Sequence, residues 1–150
     1  MSVAPIVHSL IVKAPPARAF DLFTQRMAAW WGGGIGKAPF VEIVIEPHVG
    51  GRWYERDAQG VETQWGDVLA WEPPARALFA WRINSQWKFD PDFLTEVELM
   101  FAPAEGGGSR VTLEHRYLER YGADAEAHAA KLRGGWPTKL RNYAQYTDGN

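Results

Sequence analysis

The sequence predicts one α+β domain in which an antiparallel sheet packs against a long C-terminal helix. Short runs of alternating apolar and polar residues, separated by turn residues, indicate strands with one buried face. The last stretch instead repeats large apolar residues at helical spacing, namely Trp136, Leu140 and Tyr143. We therefore expect a helix from Ala123 to Tyr146. The chain has 150 residues, the usual size of one domain, so residues 1–150 are expected to share one core.

The beginning of the chain predicts one strand followed by two short helices. Ile6 to Val12 is apolar and rich in β-branched residues, and the prolines that follow remove backbone donors and end the strand. Pro16 suits the first turn of a helix. The apolar residues that then recur at helical spacing are Phe20, Phe23 and Met27. Glycines from Gly32 to Gly34 end this pattern, so the helices are expected between Pro16 and Trp31.

Four strands are predicted in the middle of the chain. Apolar Val41, Ile43 and Ile45 alternate with acidic residues in the first of them. Gly50 to Trp81 then contains three aromatic-rich strands, separated by turns at Asp57 to Gly60 and at Glu72 to Ala75. This order predicts an antiparallel meander.

A loop and a hairpin follow the meander. The Asn84 to Asp92 connection carries Trp87 and Phe89, and it is expected to be either pinned to the body or a lid. Thr95 to Phe101 and Arg110 to Tyr117 alternate strongly, and the Pro103 to Ser109 stretch joins them as a hairpin. The residues expected on the facing sides of these two strands are Thr95, Val97, Leu99, Phe101, Val111, Leu113, His115 and Tyr117.

Motifs along nearly the whole chain resemble those of the SRPBCC or START-like superfamily. The meander motifs are Gly66-Asp67-Val68, Trp71-Glu72-Pro73-Pro74 and Phe79-Ala80-Trp81. Three further segments carry the resemblance: Ile11 to Thr24, Thr95 to His115, and Gly134-Gly135-Trp136. The branch that the chain resembles is named for the activator of heat-shock protein 90 ATPase. This resemblance implies a helix-grip fold, with a curved antiparallel sheet around the C-terminal helix and a cavity between them. It implies no single chemistry, since the superfamily includes lipid carriers, cyclases, hormone receptors and co-chaperone domains.

Composition excludes several classes of partner. Sixteen basic and eighteen acidic residues give a formal charge of −2, so neither nucleic acid nor an anionic membrane is an expected partner. No apolar run approaches the roughly 20 residues of a membrane-spanning helix. The N-terminal stretch lacks the basic start and apolar core of a secretion signal, and a cytoplasmic location is expected.

Eight tryptophans are the main compositional excess, and they admit two interpretations. Indoles could simply fill an aromatic core, or several of them could surround a cavity and bind a small hydrophobic or aromatic molecule. The candidate ligand-binding residues are Trp53, Trp65, Phe79, Trp81, Trp136 and Leu140, with Glu55 or His115 to orient the ligand.

The two polar candidates have structural alternatives. By strand alternation His115 shares a face with Leu113, where it could orient a ligand or shuttle a proton, or could be a core histidine bonded to a backbone carbonyl or water. Glu55 shares a face with Trp53 and could be a carboxylate at the mouth of the pocket, or could lie in water at a strand end.

Three glycine-containing segments affect the predicted site. A bulge at Gly66 would reverse the alternation, so the faces of Trp65 and Asp67 stay open. Gly134-Gly135 before Pro137 indicates either a break, thin spot or portal in the last helix, or a helix that starts near Trp136. The segment from Gly32 to Gly36 lacks the residues of a nucleotide-binding loop and is interpreted as a connector.

No metal or cofactor is expected. The four histidines are scattered without ligand spacing, cysteine is absent, and no serine lies in a nucleophile elbow, so catalytic residues stay unknown. Three functions stay open: binding of a small hydrophobic molecule, a cyclase or dehydratase activity in the same cavity, and a co-chaperone role with a chaperone contact. The oligomeric state stays open.

Overall fold

The computed structural model describes residues 3–150, which form a seven-stranded sheet, two α-helices and three short 3-10 turns. The strands are β1 (Ile6–Val12), β2 (Phe40–Ile45), β3 (Arg52–Asp57), β4 (Glu62–Glu72), β5 (Arg76–Trp81), β6 (Thr95–Pro103) and β7 (Ser109–Arg116). The helices are α1 (Pro16–Gln25) and α2 (Ala125–Asp148), and the 3-10 turns are Met27–Ala29, Glu105–Gly107 and Leu118–Asp124. The predicted helix-grip architecture is confirmed.

All neighbouring strands in the sheet are antiparallel, in the order β1-β7-β6-β5-β4-β3-β2. The sheet curls into a half-barrel, and α2 runs along its inner face. Ion pairs lie on the outer face, where Arg116 contacts Glu96, Glu98 and Glu114. The inner face is therefore mainly apolar and aromatic.

The first helical region has the two predicted pieces. α1 begins at Pro16, and the 3-10 turn after it ends at Ala29, two residues before the predicted end. Phe20 packs against Phe101 of β6 with ring centroids 5.2 Å apart, so α1 covers this end of the sheet.

A bulge in β4 decides which way Trp65 points. Trp53 pairs with Gly66 and Tyr54 pairs with Gln64, which leaves Trp65 as the extra residue. Trp65 is buried on the inner side, whereas Asp67 lies outside and pairs with Arg82. Gly66 is needed because a Cβ there would collide with the carbonyl oxygen of Ala80. The bulge therefore places Trp65 on the inner face of the sheet and Asp67 on the outer face, which strand alternation alone could not decide.

The last helix runs through its glycines and proline. α2 spans Ala125–Asp148, within two residues of the prediction at each end, so a helix starting near Trp136 is wrong. A break is also not observed. A Cβ at Gly134 or Gly135 would meet nothing within 4 Å, so close approach to the sheet does not require these glycines.

The predicted hairpin of β6 and β7 is confirmed. Glu96 pairs with Arg116 at one end of the two strands, and Pro103 pairs with Ser109 at the other. Tyr117 is the exception to the predicted alternation. It has a left-handed backbone (φ 66°), lies beyond the end of β7 and is largely exposed, because the chain turns there into the 3-10 segment before α2. No helix within residues 3–150 is long and apolar enough to cross a membrane.

Candidate functional site

A cavity of about 430 Å³ opens between α2, strands β4 and β5, the segment before β2 and the loop after β5. This volume lies in the usual range for small-molecule sites. Its lining residues are Trp31, Gly33, Gly34, Ile35, Trp65, Trp81, Ile83, Trp87 and Lys139. The cavity is therefore walled mainly by four indoles and two isoleucines.

Six of the eight indoles form one continuous cluster, in which some fill the core and others bound the cavity. Trp31 is central, with its ring centroid 5.2 Å from that of Trp65 and 5.5 Å from that of Trp136. Trp53 packs behind Trp65 at 5.5 Å and is almost completely buried. The two interpretations of the tryptophan excess thus apply to different indoles of one cluster.

Of the eight candidate residues, Trp65 and Trp81 line the cavity. Trp53, Phe79 and Trp136 are buried behind them and support their rings, with Phe79 5.1 Å from Trp53 and Trp136 5.8 Å from Trp81. Leu140 does not line this cavity. It is buried, and it lines a separate groove between α2 and β1.

Glu55 lies beneath the wall of the cavity and holds two parts of it in place. Its side chain is only 2% exposed, so the alternative of a strand end in water is wrong. One carboxylate oxygen, Oε1, accepts hydrogen bonds from the backbone N–H of Ile35 (2.7 Å) and from the indole N–H of Trp65 (2.8 Å). This shared acceptor ties the backbone of the segment to the indole.

The glycines of the Gly32 to Gly36 segment allow this contact. A Cβ at Gly34 would lie 2.5 Å from both carboxylate oxygens of Glu55, and one at Gly36 would lie 2.9 Å from Oε2. Only glycine lets the backbone come this close to the carboxylate. The segment is therefore part of the cavity wall, and the interpretation as a mere connector is incomplete.

His115 is a neutral core residue that supports Trp136. The Trp136 indole can only donate, so its 3.1 Å bond to Nδ1 leaves the imidazole proton on Nε2, which donates to the Thr95 hydroxyl at 2.8 Å. Burial, with a smaller contribution from His128, lowers the pKa of His115 to about 3. His115 does not line the cavity and is not charged near neutral pH, so its contribution to the site is to position Trp136.

Lys139 is a site residue that sequence reasoning missed. Its ammonium lies 4.1 Å from the centroid of the Trp31 ring and donates to the Trp31 carbonyl oxygen at 3.2 Å. Burial lowers the pKa of this lysine to about 8. A lysine between the apolar residues of a helix usually points to solvent. The only sequence feature that places Lys139 near the site is its position three residues after Trp136, which puts both on the same side of the helix.

Trp87 closes the outer side of the cavity and is the most exposed of the lining indoles. Its backbone is left-handed (φ 58°), and its ring packs 4.8 Å from that of His128 on α2. Ser85 in the same loop donates to Asp124 at 2.9 Å. Of the two expectations for this loop, the structure shows it pinned to the body.

Within residues 3–150, no cluster of three or more histidine, aspartate or glutamate side chains could hold a metal ion. The site as described consists of closely packed indoles in tilted and edge-to-face contact, one lysine and a buried carboxyl group behind the wall. Such a site can hold a flat apolar molecule and can present one cationic donor to it.

This combination of a curled antiparallel sheet, a long C-terminal helix and a cavity between them defines an SRPBCC-like helix-grip protein. The family model described as activator of Hsp90 ATPase homolog 1-like protein matches residues 13–148, and the chain belongs to that family. The comparison with curated proteins gave no match.

Solved structures include two relatives above 30% identity. Anthrahydroquino-gamma-pyrone synthase Txn09, solved in complex with SUM, is 36% identical, with 96% of this chain and 97% of that chain covered and a TM-score of 0.69. The self-sacrificing resistance protein CalC from Micromonospora echinospora is 31% identical, with 97% and 94% covered and a TM-score of 0.66. Protein MLL2253 from Mesorhizobium loti, at 20% identity, 98% coverage of both chains and a TM-score of 0.69, shows the fold alone.

Proposed function

We propose that this protein binds a small, flat aromatic molecule in the indole-lined cavity. The observation that carries the proposal is the wall itself, in which Trp31, Trp65, Trp81 and Trp87 surround an open volume of about 430 Å³. Aromatic rings bind each other by burying apolar area and by offset or edge contacts that add about 0.5–1.5 kcal/mol per pair. A planar ligand of two or three fused rings fits both the volume and this chemistry.

The wall is preorganised for such a ligand. Glu55 holds Trp65 and Ile35, Trp136 backs Trp31 and Trp81, and His115 holds Trp136. A site whose rings are already fixed loses little conformational entropy on binding, which favours affinity. The 36% identical relative is named an anthrahydroquino-gamma-pyrone synthase, and this name supports an aromatic ligand here.

The test is equilibrium binding of a probe panel, measured by tryptophan emission and by thermal shift. The panel contains anthraquinone, 2-methoxyanthraquinone and, as aliphatic comparators, decanol and cyclododecanone. We expect saturable binding of the planar aromatics and a rise in melting temperature, because a ligand specific for the native state shifts the folding equilibrium.

Two tryptophan variants make this test specific. Trp87→Ala removes a lining ring, and we expect it to weaken binding by about 3- to 10-fold, the equivalent of one aromatic contact. Trp71→Ala is the matched control, because Trp71 is also partly exposed but packs against Phe20 away from the cavity. Equal weakening by both variants, or no binding of any planar aromatic, would refute the proposal.

A ring-closing activity on such a ligand is the second candidate. It is favoured by the 36% identity with a synthase over almost the whole of both chains. Incubation with polyhydroxylated aromatic ketones, followed by mass spectrometry, tests it: loss of water or a new ring supports an enzyme, whereas unchanged but tightly bound compound supports a binding protein. The chaperone contact and the cytoplasmic location stay predictions.

A further inference from the structure

The cavity wall has one ionisable side chain. Among the described lining residues, Lys139 alone carries a titratable group; the others are tryptophans, isoleucines and glycines. Lys139 also lines a smaller neighbouring pocket, where Lys131 is the other charged residue. Within the 430 Å³ cavity itself, a polar group on a bound ligand therefore has a single charged side chain to contact.

The hydrogen-bonding capacity of Lys139 is largely unused. An ammonium has three N–H donors, and one of them is directed at the Trp31 carbonyl oxygen. None of the ion pairs within residues 3–150 includes Lys139, and no second acceptor is within hydrogen-bond distance. The ring of Trp31 below the ammonium attracts the charge but accepts no conventional hydrogen bond.

The buried carboxyl group of Glu55 forms no ion pair with this lysine. Its Oε1 accepts from the N–H groups of Ile35 and Trp65, and Glu55 is not among the residues that line the cavity. Burial disfavours the charged form of Lys139 and lowers its pKa to about 8, so the amine is still mainly protonated near neutral pH. An anionic oxygen on a ligand would satisfy both the charge and the free donors.

We infer that Lys139 determines specificity by selecting aromatic ligands that carry an ionised hydroxyl, a phenolate or an enolate, against the same ring system without it. This inference rests on the proposed function and adds the polar group that the ligand carries. A phenolate or enolate spreads its charge into the ring, so one cationic donor satisfies its oxygen. A carboxylate keeps its charge localised on two oxygens, so its transfer from water into this mainly apolar cavity costs more.

The test compares three probes that share one ring system: 2-hydroxyanthraquinone, 2-methoxyanthraquinone and anthraquinone-2-carboxylate. Dissociation constants are measured by isothermal titration at one pH near neutrality for the parent chain, Lys139→Met, Lys139→Arg and Lys37→Met. Methionine keeps an unbranched apolar side chain without the charge, and arginine keeps the charge. Lys37 is exposed and does not line the cavity, so its variant controls for loss of one surface charge.

We expect the parent to bind the hydroxy compound at least tenfold more tightly than the methoxy compound, the usual effect of a hydrogen bond to a charged group. Lys139→Met should abolish this preference while changing binding of the methoxy compound by less than about threefold. Lys139→Arg should keep most of the preference, and Lys37→Met should behave as the parent.

The outcomes separate this inference from the proposed function. If the methoxy compound binds but the hydroxy compound has no advantage, or if Lys139→Met weakens both equally, the role of Lys139 is wrong and the aromatic site stands. If the carboxylate compound binds more tightly than the hydroxy compound, the inference that Lys139 selects an ionised hydroxyl is wrong. If none of the three compounds binds the parent chain, the proposed function itself fails.

Discussion

The two ends of the curled sheet are covered differently, and this difference creates the cavity. At the closed end α1 lies over β6, and Phe23 packs 4.7 Å from Tyr143 and 6.1 Å from Phe101. At the open end the Gly32 to Gly36 segment covers β3 and β4, and its glycines have no side chains to fill the space. Both ends are rich in aromatic rings. Aromatic content is therefore not what distinguishes the two ends. The aromatic rings are core residues where α1 covers them, and they line a cavity where the glycine segment covers them.

The two ends also differ in how polar groups are used. At the closed end the Tyr143 hydroxyl donates to the Ala19 carbonyl at 2.8 Å, a bond that ties α2 to α1. At the open end a carboxylate holds a loop backbone, and an ammonium lies at the cavity with unused donors. The Tyr143 hydroxyl at the closed end is thus bonded within the protein, whereas Lys139 at the open end has N–H donors free for a ligand.

The largest expected effect is a difference in stability between the two ends. Phe23→Ala removes a fully buried ring from the closed end and should lower the free energy of unfolding by about 3–5 kcal/mol. Trp87→Ala removes a ring that is 40% exposed at the open end and should cost less than about 1.5 kcal/mol. Urea unfolding of both variants measures this, and comparable losses would remove the distinction between the ends.

A second prediction uses the neutral histidine under Trp136. Burial lowers the pKa of His115 to about 3, from an ordinary value near 6.5. Between these two pH values the unfolded chain is therefore protonated at His115, whereas the native state is not. Stability is therefore lost as the pH falls from about 6.5 towards 3, at about 1.4 kcal/mol per pH unit from this group. By about pH 4.5 the loss should reach roughly 2–3 kcal/mol.

Protonation of Asp and Glu side chains also changes the free energy of unfolding as the pH falls. Two variants separate the contribution of His115 from theirs. His115→Gln should be less stable than the parent near neutral pH, but its unfolding free energy should fall less steeply between about pH 6.5 and 4.5. His48→Gln, at an exposed position, should keep the parent slope. An unchanged slope in His115→Gln would show that His115 is not the buried neutral group described here.

The smallest expected effect on stability distinguishes two adjacent glycines at the open end. Gly34→Ala places a Cβ against the Glu55 carboxylate and should cost about 1–2 kcal/mol as the segment shifts. It should also weaken binding of 2-methoxyanthraquinone, because Ile35 and Trp65 lose their common acceptor. Gly33→Ala is the matched control, since a Cβ there meets nothing within 4 Å and the backbone φ is ordinary. Similar behaviour of the two variants would mean that the contact with Glu55 does not shape the wall.

Sequence patterns were sufficient for the elements and for much of the core. Alternation correctly placed Val97 and Leu99 of β6 and Leu113 of β7 on the inner face, because regular strands keep a period of two. The same rule could not place Trp65, whose direction depends on a bulge that is visible only when β4 is paired with β3.

The site was less predictable, because it depends on contacts between distant segments. Trp81 was found because it lies in a family-like motif, and Trp65 because it lies in the aromatic-rich meander, although its face stayed open. Glu55 lies in water or in the core depending on whether the glycine segment folds over it, a contact across 20 residues. Lys139 was not among the candidates, because only the path of Trp31 puts a ring and a carbonyl oxygen beside it.

Binding of a flat aromatic molecule at the open end should be visible in the indole N–H signals of a ¹H–¹⁵N correlation spectrum. Each of the eight tryptophans contributes one such signal, which single substitutions assign. During titration with 2-methoxyanthraquinone, the signals of Trp31, Trp65, Trp81 and Trp87 should shift together along one saturable curve. The signal of Trp71 should stay in place, since its ring packs against Phe20 at the closed end. No shift among the four lining indoles, or larger shifts at Trp71 or in the groove beside Trp30, would contradict the account.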